Sequence, residues 1–105
     1  MVYGFSPVGV MGRLVRVEVD LRKGLPGTDI VGLPRSEVKE ARERVRVAIR
    51  NSGYRYPTDR ILINLSPAEI PKVGAGFDLA IALAILECSG QITLPESLLA
   101  VGELS

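Results

Sequence analysis

The residues with the clearest chemical potential form one glycine-bearing turn, Pro71–Asp78 (PKVGAGFD), which precedes an apolar run. A turn of this kind at the start of a helix presents backbone N–H groups that bind phosphates in many enzymes. Lys72, Gly74 and Gly76 are therefore the candidate phosphate-binding residues. Asp78 argues against such a site, because its carboxylate would satisfy the same N–H groups and repel an anion. We predict that Asp78 caps the helix behind a tight turn, with a phosphate site as the alternative.

The chain lacks the residues of common catalytic and metal-dependent sites. It has no histidine, and therefore no ordinary proton shuttle near neutral pH and no imidazole metal ligand. No G-x-x-x-x-G-K-[S/T] P-loop occurs, no serine–lysine pair is singled out by its spacing, and the carboxylates are scattered. Cys88, the single cysteine, is predicted to be a buried structural thiol. We predict no catalytic residue, no metal site and no cofactor within these 105 residues.

A second candidate site is a cationic stripe on the longest predicted helix, at roughly residues 34–51. A row of cations at helical spacing is suited to contact a nucleic-acid backbone or a partner subunit. Tyr54 and Tyr56 flank Arg55 just after this helix, where they either stack on bases or pack as part of a loop. The four cations of the stripe are Lys39, Arg42, Arg46 and Arg50.

Glutamates interleave with these cations and leave a second interpretation of the stripe open. Glu40–Arg44 is predicted to pair at a spacing of four residues, and Glu43–Arg46 at a spacing of three. A helix face with such pairs is often a solvent-exposed, salt-bridged surface that binds no partner. The whole chain carries a net charge of +1, so its overall charge does not indicate nucleic-acid binding.

Hydrophobic patterning predicts the elements that position these sites. Residues 14–21 alternate between apolar and charged side chains, which indicates a strand with one buried and one solvated face. The predicted order is β-β-β-α-β-α-β, and the predicted fold class is α+β, a two-layer sandwich of a mixed sheet with two helices on one face. Strands are predicted at residues 2–10, 14–21, 28–32, 60–65 and 98–104, and helices at residues 34–51 and 78–88.

Length and composition predict a single domain, residues 1–105, with enough apolar residues (47%) for a packed core. The longest apolar run falls far short of the roughly 20 residues that a membrane span needs. Together with the single cysteine, this predicts a cytoplasmic protein without a membrane partner. An apolar strand at residues 98–104 with no turn after it predicts that the sequence is cut within a larger protein, in which case this strand could exchange between two molecules.

Several segments resemble the N-terminal domain of the magnesium-chelatase-like ATPases of the ComM/YifB type. The resemblance extends in order over nearly the whole chain, and its motifs are specific. They are VRVEVD at 15–20, GLPG at 24–27, IVGLP at 30–34, residues 38–53, NLSPAE at 64–69, FDLAIAL at 77–83 and GELS at 102–105.

This resemblance implies an accessory domain that precedes an AAA+ module on the same chain. That module would supply the Walker motifs, ATP and Mg²⁺ and would form hexameric rings, and ComM-type members act on DNA as branch-migration helicases during natural transformation. The resemblance also implies the fold shared by the Lon protease domain and the small-molecule kinases, the ribosomal protein S-five domain-two-like fold. When the two are aligned on Lys72 and Gly74, Gly76 stands where Lon-type proteases have their serine, so protease activity is not expected.

We therefore predict a non-catalytic domain of a DNA-processing ATPase that contacts DNA or neighbouring subunits through the cationic stripe. One alternative is a degenerate Lon-like or kinase-like domain that binds a phosphorylated ligand at Gly74–Gly76. The other is a peptide-binding or assembly module that uses an exposed sheet edge near Thr28–Val31 for strand addition.

Overall fold

A mixed five-stranded sheet carries two helices in the part of the chain that the structure describes. The structure is a computed structural model and describes residues 1–6, 13–67 and 76–102, with Arg13 described in its backbone alone. The strand order is β3-β4-β2-β1-β5. The elements are β1 (Val2–Ser6), β2 (Arg13–Arg22), β3 (Gly27–Val31), α1 (Arg35–Asn51), β4 (Arg60–Ser66), α2 (Asp78–Cys88) and β5 (Leu98–Leu99).

This order confirms the predicted succession of strands and helices and the α+β fold class. β1 and β2 form the expected antiparallel hairpin, with Phe5 opposite Leu14. β4 is antiparallel to β2 and parallel to β3, so the sheet is mixed. The last strand is shorter than predicted, at Leu98–Leu99, and residues 103–105 lie outside the described residues.

The period-two pattern of the central strands places one face of the sheet against the helices. Val15 and Val17 of β2 are buried, whereas Arg16 between them and Glu18 after them are exposed. β4 continues the buried face with Ile61, Ile63 and Leu65, each no more than 1% exposed. The core therefore lies between this face and the two helices.

α1 buries the apolar side chains that its sequence predicts to face the core, and it ends just before Gly53, as predicted. Ala41, Val45 and Ile49 face the core at helical spacing. Gly53 has φ of 87°, its N–H donates to the Arg50 carbonyl, and the Tyr54 N–H donates to the Ile49 carbonyl. These two bonds form a Schellman motif. The chain therefore leaves α1 in a fixed direction.

α2 is buried on most sides, as its apolar sequence predicts, and it packs on β1, β2 and α1. It also ends in a Schellman motif, in which Gly90 donates to Glu87 and Gln91 donates to Leu86. The prediction that Cys88 is buried is wrong: its side chain is exposed, and its Sγ lies 3.4 Å from the Val19 carbonyl oxygen. The partial desolvation of the Cys88 thiol raises its pKa, so its environment does not activate it as a nucleophile.

A basic cleft as the candidate functional site

A cleft of about 760 Å³ lies where one face of α1, from Lys39 to Arg50, meets the start of β3 and the loop after α1. It contains all four cations of the stripe together with the two tyrosines that follow α1. The structure thus joins two motifs that the sequence offers separately. The cleft is lined by Pro26, Gly27, Thr28, Lys39, Arg42, Glu43, Arg46, Arg50, Gly53, Tyr54, Arg55, Tyr56, Pro57 and Thr58.

The cleft concentrates positive charge on a chain that is nearly neutral overall. Its lining includes five cationic residues and one acidic residue, a formal charge of +4, whereas the whole chain carries +1. A local excess of this kind attracts anions over short range even when the net charge of the protein does not.

The four cations of the stripe have different surroundings. Lys39 and Arg50 are exposed. The Arg42 guanidinium donates from Nη1 to the Thr28 carbonyl oxygen over 3.1 Å, which ties α1 to the edge strand β3. Arg46 donates from Nη2 to Glu43 Oε2 over 2.8 Å, which confirms the predicted pair. Lys39 and Arg50 are therefore the residues of the stripe best placed to meet a ligand.

Glu43 and Arg46 shift each other's pKa within the cleft. The hydrogen bond and the charge of Arg46 lower the pKa of Glu43, and the same interaction with Glu43 raises the pKa of Arg46. Both groups therefore stay ionised through the neutral range, and Glu43 offsets part of the positive charge.

The two tyrosines of the cleft are held differently. The Tyr56 hydroxyl shares a hydrogen bond with Thr28 Oγ1 over 2.7 Å, the ring is half-buried, and burial raises the pKa of Tyr56. Tyr54 follows the Schellman motif of α1, and 41% of its surface is exposed. Tyr56 is therefore a structural member of the cleft wall, whereas Tyr54 presents a free aromatic surface.

Sequence reasoning missed Gln91, which fixes the loop that carries both tyrosines. Its side-chain oxygen accepts from the Arg55 N–H over 2.8 Å, and its side-chain nitrogen donates to the Arg55 carbonyl oxygen over 2.7 Å. The same nitrogen donates to Ser89 Oγ over 2.9 Å. The sequence signal for Gln91 is its position: Gly53 and Gly90 end the two helices in the same way, and Gln91 follows Gly90 as Tyr54 follows Gly53.

The glycine turn is described only at its end. Lys72 and Gly74 lie outside the described residues, so the phosphate site of Lys72, Gly74 and Gly76 stays a prediction. The Gly102 N–H donates to the Gly76 carbonyl over 3.3 Å, and the Gly102 carbonyl accepts from the Leu79 N–H in the first turn of α2 over 3.1 Å. A backbone carbonyl of this chain therefore satisfies one of the donors that would face a phosphate.

Asp78 does not occupy the predicted capping position. Phe77 is the N-cap residue of α2, and Asp78 is its first residue, with a side chain 2% exposed. The carboxylate receives two hydrogen bonds from Arg44, from Nε to Oδ2 over 2.6 Å and from Nη2 to Oδ1 over 3.2 Å. The prediction of a side-chain cap is thus corrected, because a cation on α1 lies within reach of this carboxylate.

Within residues 1–6, 14–67 and 76–102, no three side chains of the metal-binding types come together. Neither α1 nor α2 is long and apolar enough to cross a membrane.

Comparison with known proteins defines the class of protein. The family described as "Subunit ChlI of Mg-chelatase" matches residues 17–105. The chain is 53% identical over 93 residues to protein YifB of Escherichia coli, a match that covers 89% of this chain and 18% of YifB. It is 49% identical over 92 residues to the competence protein ComM of Haemophilus influenzae, covering 88% of this chain and 18% of ComM. It is 44% identical over 101 residues to protein Mb2921c of Mycobacterium bovis, covering 92% of this chain and 20% of that protein.

The chain belongs to the magnesium-chelatase ChlI family, and its relatives include proteins named YifB and ComM. This confirms the family that the sequence motifs predict. The chain spans about a fifth of the length of the curated relatives it matches.

Proposed function

We propose that this chain is a non-catalytic N-terminal accessory domain of a longer magnesium-chelatase-like AAA+ ATPase, and that it contacts DNA through the basic cleft. The single observation that supports this proposal is the convergence of Lys39, Arg42, Arg46, Arg50 and Arg55 on one cleft of a nearly neutral chain. Phosphates neutralised by such cations release counterions, and this release drives sequence-independent binding to nucleic acid.

The rest of the longer protein would supply the chemistry. No P-loop sequence occurs in these 105 residues, so we propose that ATP and Mg²⁺ are bound by a downstream module and that the longer protein assembles as a ring of identical subunits in the cytoplasm. One relative is named a competence protein, which favours a role in processing DNA, such as branch migration during natural transformation. The resemblance to the Lon and small-molecule-kinase fold is also a proposal, supported by the two-layer architecture.

The proposed DNA contact is tested by removing cations of the cleft that make no hydrogen bond holding the described part of the fold together. Lys39→Gln with Arg50→Gln removes two exposed cations and leaves the contacts of Arg42 and Arg46 in place. We expect affinity for a fluorescent DNA to fall about tenfold or more near 100 mM salt, and the slope of log affinity against log salt to flatten by about 1 to 2.

The matched control is Arg16→Gln with Arg35→Gln. These residues are also exposed cations, but neither lines the cleft, so the same change in net charge occurs elsewhere. We expect the control to bind within about twofold of the unaltered chain. Equal losses of affinity and slope in the two double variants would show that the cleft is not the contact surface.

Peptide binding by strand addition is the second candidate function. β3 forms one edge of the sheet, so its outer side is available to another strand. The contact of Arg42 with the Thr28 carbonyl occupies a backbone acceptor of this strand. A peptide that pairs with β3 would shift the amide resonances of residues 29–31, which lie outside the cleft lining, whereas DNA in the cleft would shift those of residues 53–56.

A further inference from the structure

The geometry points to Tyr54 as the residue that makes the cleft select unpaired nucleic acid: we propose that its ring stacks on an exposed base while the exposed Arg50 holds a neighbouring phosphate. This inference rests on the proposed nucleic-acid contact and adds the kind of strand and the residue that selects it. In a duplex the bases are stacked on one another, so their faces are not available to the Tyr54 ring, and the cleft could contact only the backbone.

Tyr54 has the exposure that stacking needs. It lines the cleft next to Arg50 and Arg55, and 41% of its surface is exposed. Its neighbour Tyr56 cannot perform this task as readily, because it is half-buried and its hydroxyl bonds to Thr28. Proteins that bind single strands without sequence preference combine cations, which contact the backbone, with aromatic rings, which stack on the bases.

The backbone on both sides of Tyr54 is fixed before any ligand arrives. On the N-terminal side, the Tyr54 N–H donates to the Ile49 carbonyl over 3.2 Å in the Schellman motif of α1. On the C-terminal side, the Gln91 side chain bonds both the N–H and the carbonyl of Arg55, over 2.8 and 2.7 Å. A ring on a fixed backbone loses less conformational entropy on binding than a ring on a mobile loop.

Gln91 is accordingly a positioning residue for the cleft. The Arg55 N–H can only donate and the Arg55 carbonyl can only accept, so the orientation of the Gln91 amide is determined, and Ser89 Oγ accepts from the same side-chain nitrogen. Gln91 directly follows the Schellman glycine of α2, as Tyr54 follows that of α1. The Gln91–Arg55 contact thus ties the C-terminal ends of the two helices together.

The test compares two oligomers that differ only in their bases. One is a thymidine oligonucleotide of about 20 units, and the other is an abasic sugar-phosphate strand of the same length, which keeps the phosphates and lacks any base to stack. We expect the unaltered chain to bind the thymidine strand at least about fivefold more tightly than the abasic strand. We expect Tyr54→Ala to remove this difference without changing affinity for the abasic strand or for a duplex, whereas Tyr54→Phe retains it.

Gln91→Ala is expected to reduce the difference between the two strands and to keep the affinity for the abasic strand, measured at a temperature at which circular dichroism shows the variant to be folded. A purely structural defect would instead lower affinity for both strands together. Because the chain contains no tryptophan, Tyr54→Trp provides a single fluorescent reporter. Its emission should be quenched by the thymidine strand and not by the abasic strand, and the quenching should weaken when Gln91→Ala is added.

The outcomes separate this inference from the function on which it rests. If Tyr54→Ala lowers affinity for both strands equally, or for neither, the stacking role of Tyr54 is overturned while the cationic contact stands. If the unaltered chain binds a polyglutamate peptide as tightly as the thymidine strand, the cleft recognises charge alone and both selectivity and the nucleic-acid assignment fail. If no strand and no duplex binds, the proposed function and the inference fail together.

Discussion

Arg44 of α1 and Asp78 of α2 form a two-point ion pair across the helix–helix contact, with distances of 2.6 and 3.2 Å. The Asp78 side chain is 2% exposed and that of Arg44 is 27% exposed. The pair lies at the first turn of α2, where a carboxylate is also favoured by the helix dipole. Asp78, which the sequence predicts to repel a phosphate from the glycine turn, thus connects α2 to α1.

The first prediction concerns this pair. Arg44→Met removes the cation from a carboxylate that water reaches poorly, so we expect the free energy of unfolding to fall by about 3 kcal/mol. Urea denaturation of the chain measures this change. Arg50→Met is the control, because Arg50 is an exposed cation of the same helix, and its loss should change stability by no more than about 0.5 kcal/mol.

A double-mutant cycle tests the coupling of the two residues directly. Adding Asp78→Leu to Arg44→Met removes both charges, and we expect the double variant to be more stable than the sum of the two single losses predicts. If the two losses simply add, the contact seen between the side chains contributes no interaction free energy.

The second prediction concerns the acid in the cleft. Arg46 lowers the pKa of Glu43, so Glu43 carries its charge throughout the neutral range. Glu43→Gln raises the formal charge of the cleft from +4 to +5 and releases Arg46. We expect affinity for DNA to rise by about two- to fivefold, measured by anisotropy at low salt.

Glu18→Gln is the matched control for Glu43→Gln. Glu18 is an exposed glutamate with an arginine 3.9 Å away, but it lies on the open face of the sheet. An increase in affinity of the same size in this control would mean that net charge matters and its location does not.

The third prediction concerns stability at alkaline pH. Burial raises the pKa of Tyr56, so the folded state holds the phenolic proton more tightly than the unfolded state does. The contribution of Tyr56 to stability is therefore full below about pH 10, the ordinary value, and is lost as the pH rises through the raised pKa. Tyr56→Phe should cost about 1 kcal/mol at neutral pH through the lost Thr28 hydrogen bond.

The alkaline range distinguishes the titration of Tyr56 from its hydrogen bond. Between about pH 9 and pH 11, the Tyr56→Phe variant should lose less stability than the unaltered chain, because it has one fewer buried group to ionise. Chemical denaturation at several pH values in this range gives the two slopes. Parallel slopes would show that Tyr56 does not contribute to the alkaline loss.

The fourth prediction compares two glycines. A Cβ at Gly4 would collide with the ring of Phe77, which is 3% exposed, whereas a Cβ at Gly76 would meet no atom of the described residues within 4 Å. We expect Gly4→Ala to cost about 1 to 3 kcal/mol through overpacking. Gly76→Ala should change stability by no more than about 0.5 kcal/mol, and thermal denaturation of both variants tests the contrast.

Sequence patterning predicted the elements of this fold well because burial follows a simple period in them. The alternation around Val15 and Val17 determines which face of β2 is buried, and the spacing of Ala41 and Val45 does the same for α1. The family also followed from motifs distributed along the chain. These features depend on neighbours that are close in sequence or on repeated spacing.

The cleft could be predicted only in part, because its geometry depends on residues that are distant in sequence. The cationic stripe follows from helical spacing, but Gln91 lies 36 residues from Arg55, and the ion pair joins residues 34 apart. The prediction of a buried Cys88 is wrong because the exposure of the last turn of a helix depends on which elements cover it, and residue type alone does not determine this.

The parallel pairing of β5 with β1 makes completion of this sheet depend on two strands that are distant in sequence. Val2 pairs with Leu98, and the Ala100 N–H donates to the Tyr3 carbonyl, so the outer side of β1 is covered only after residues 98–100 have been synthesised. Such long-range closure is slow compared with local folding. The nascent chain therefore exposes this side of β1 to chaperones and to other nascent chains until residue 100 has emerged.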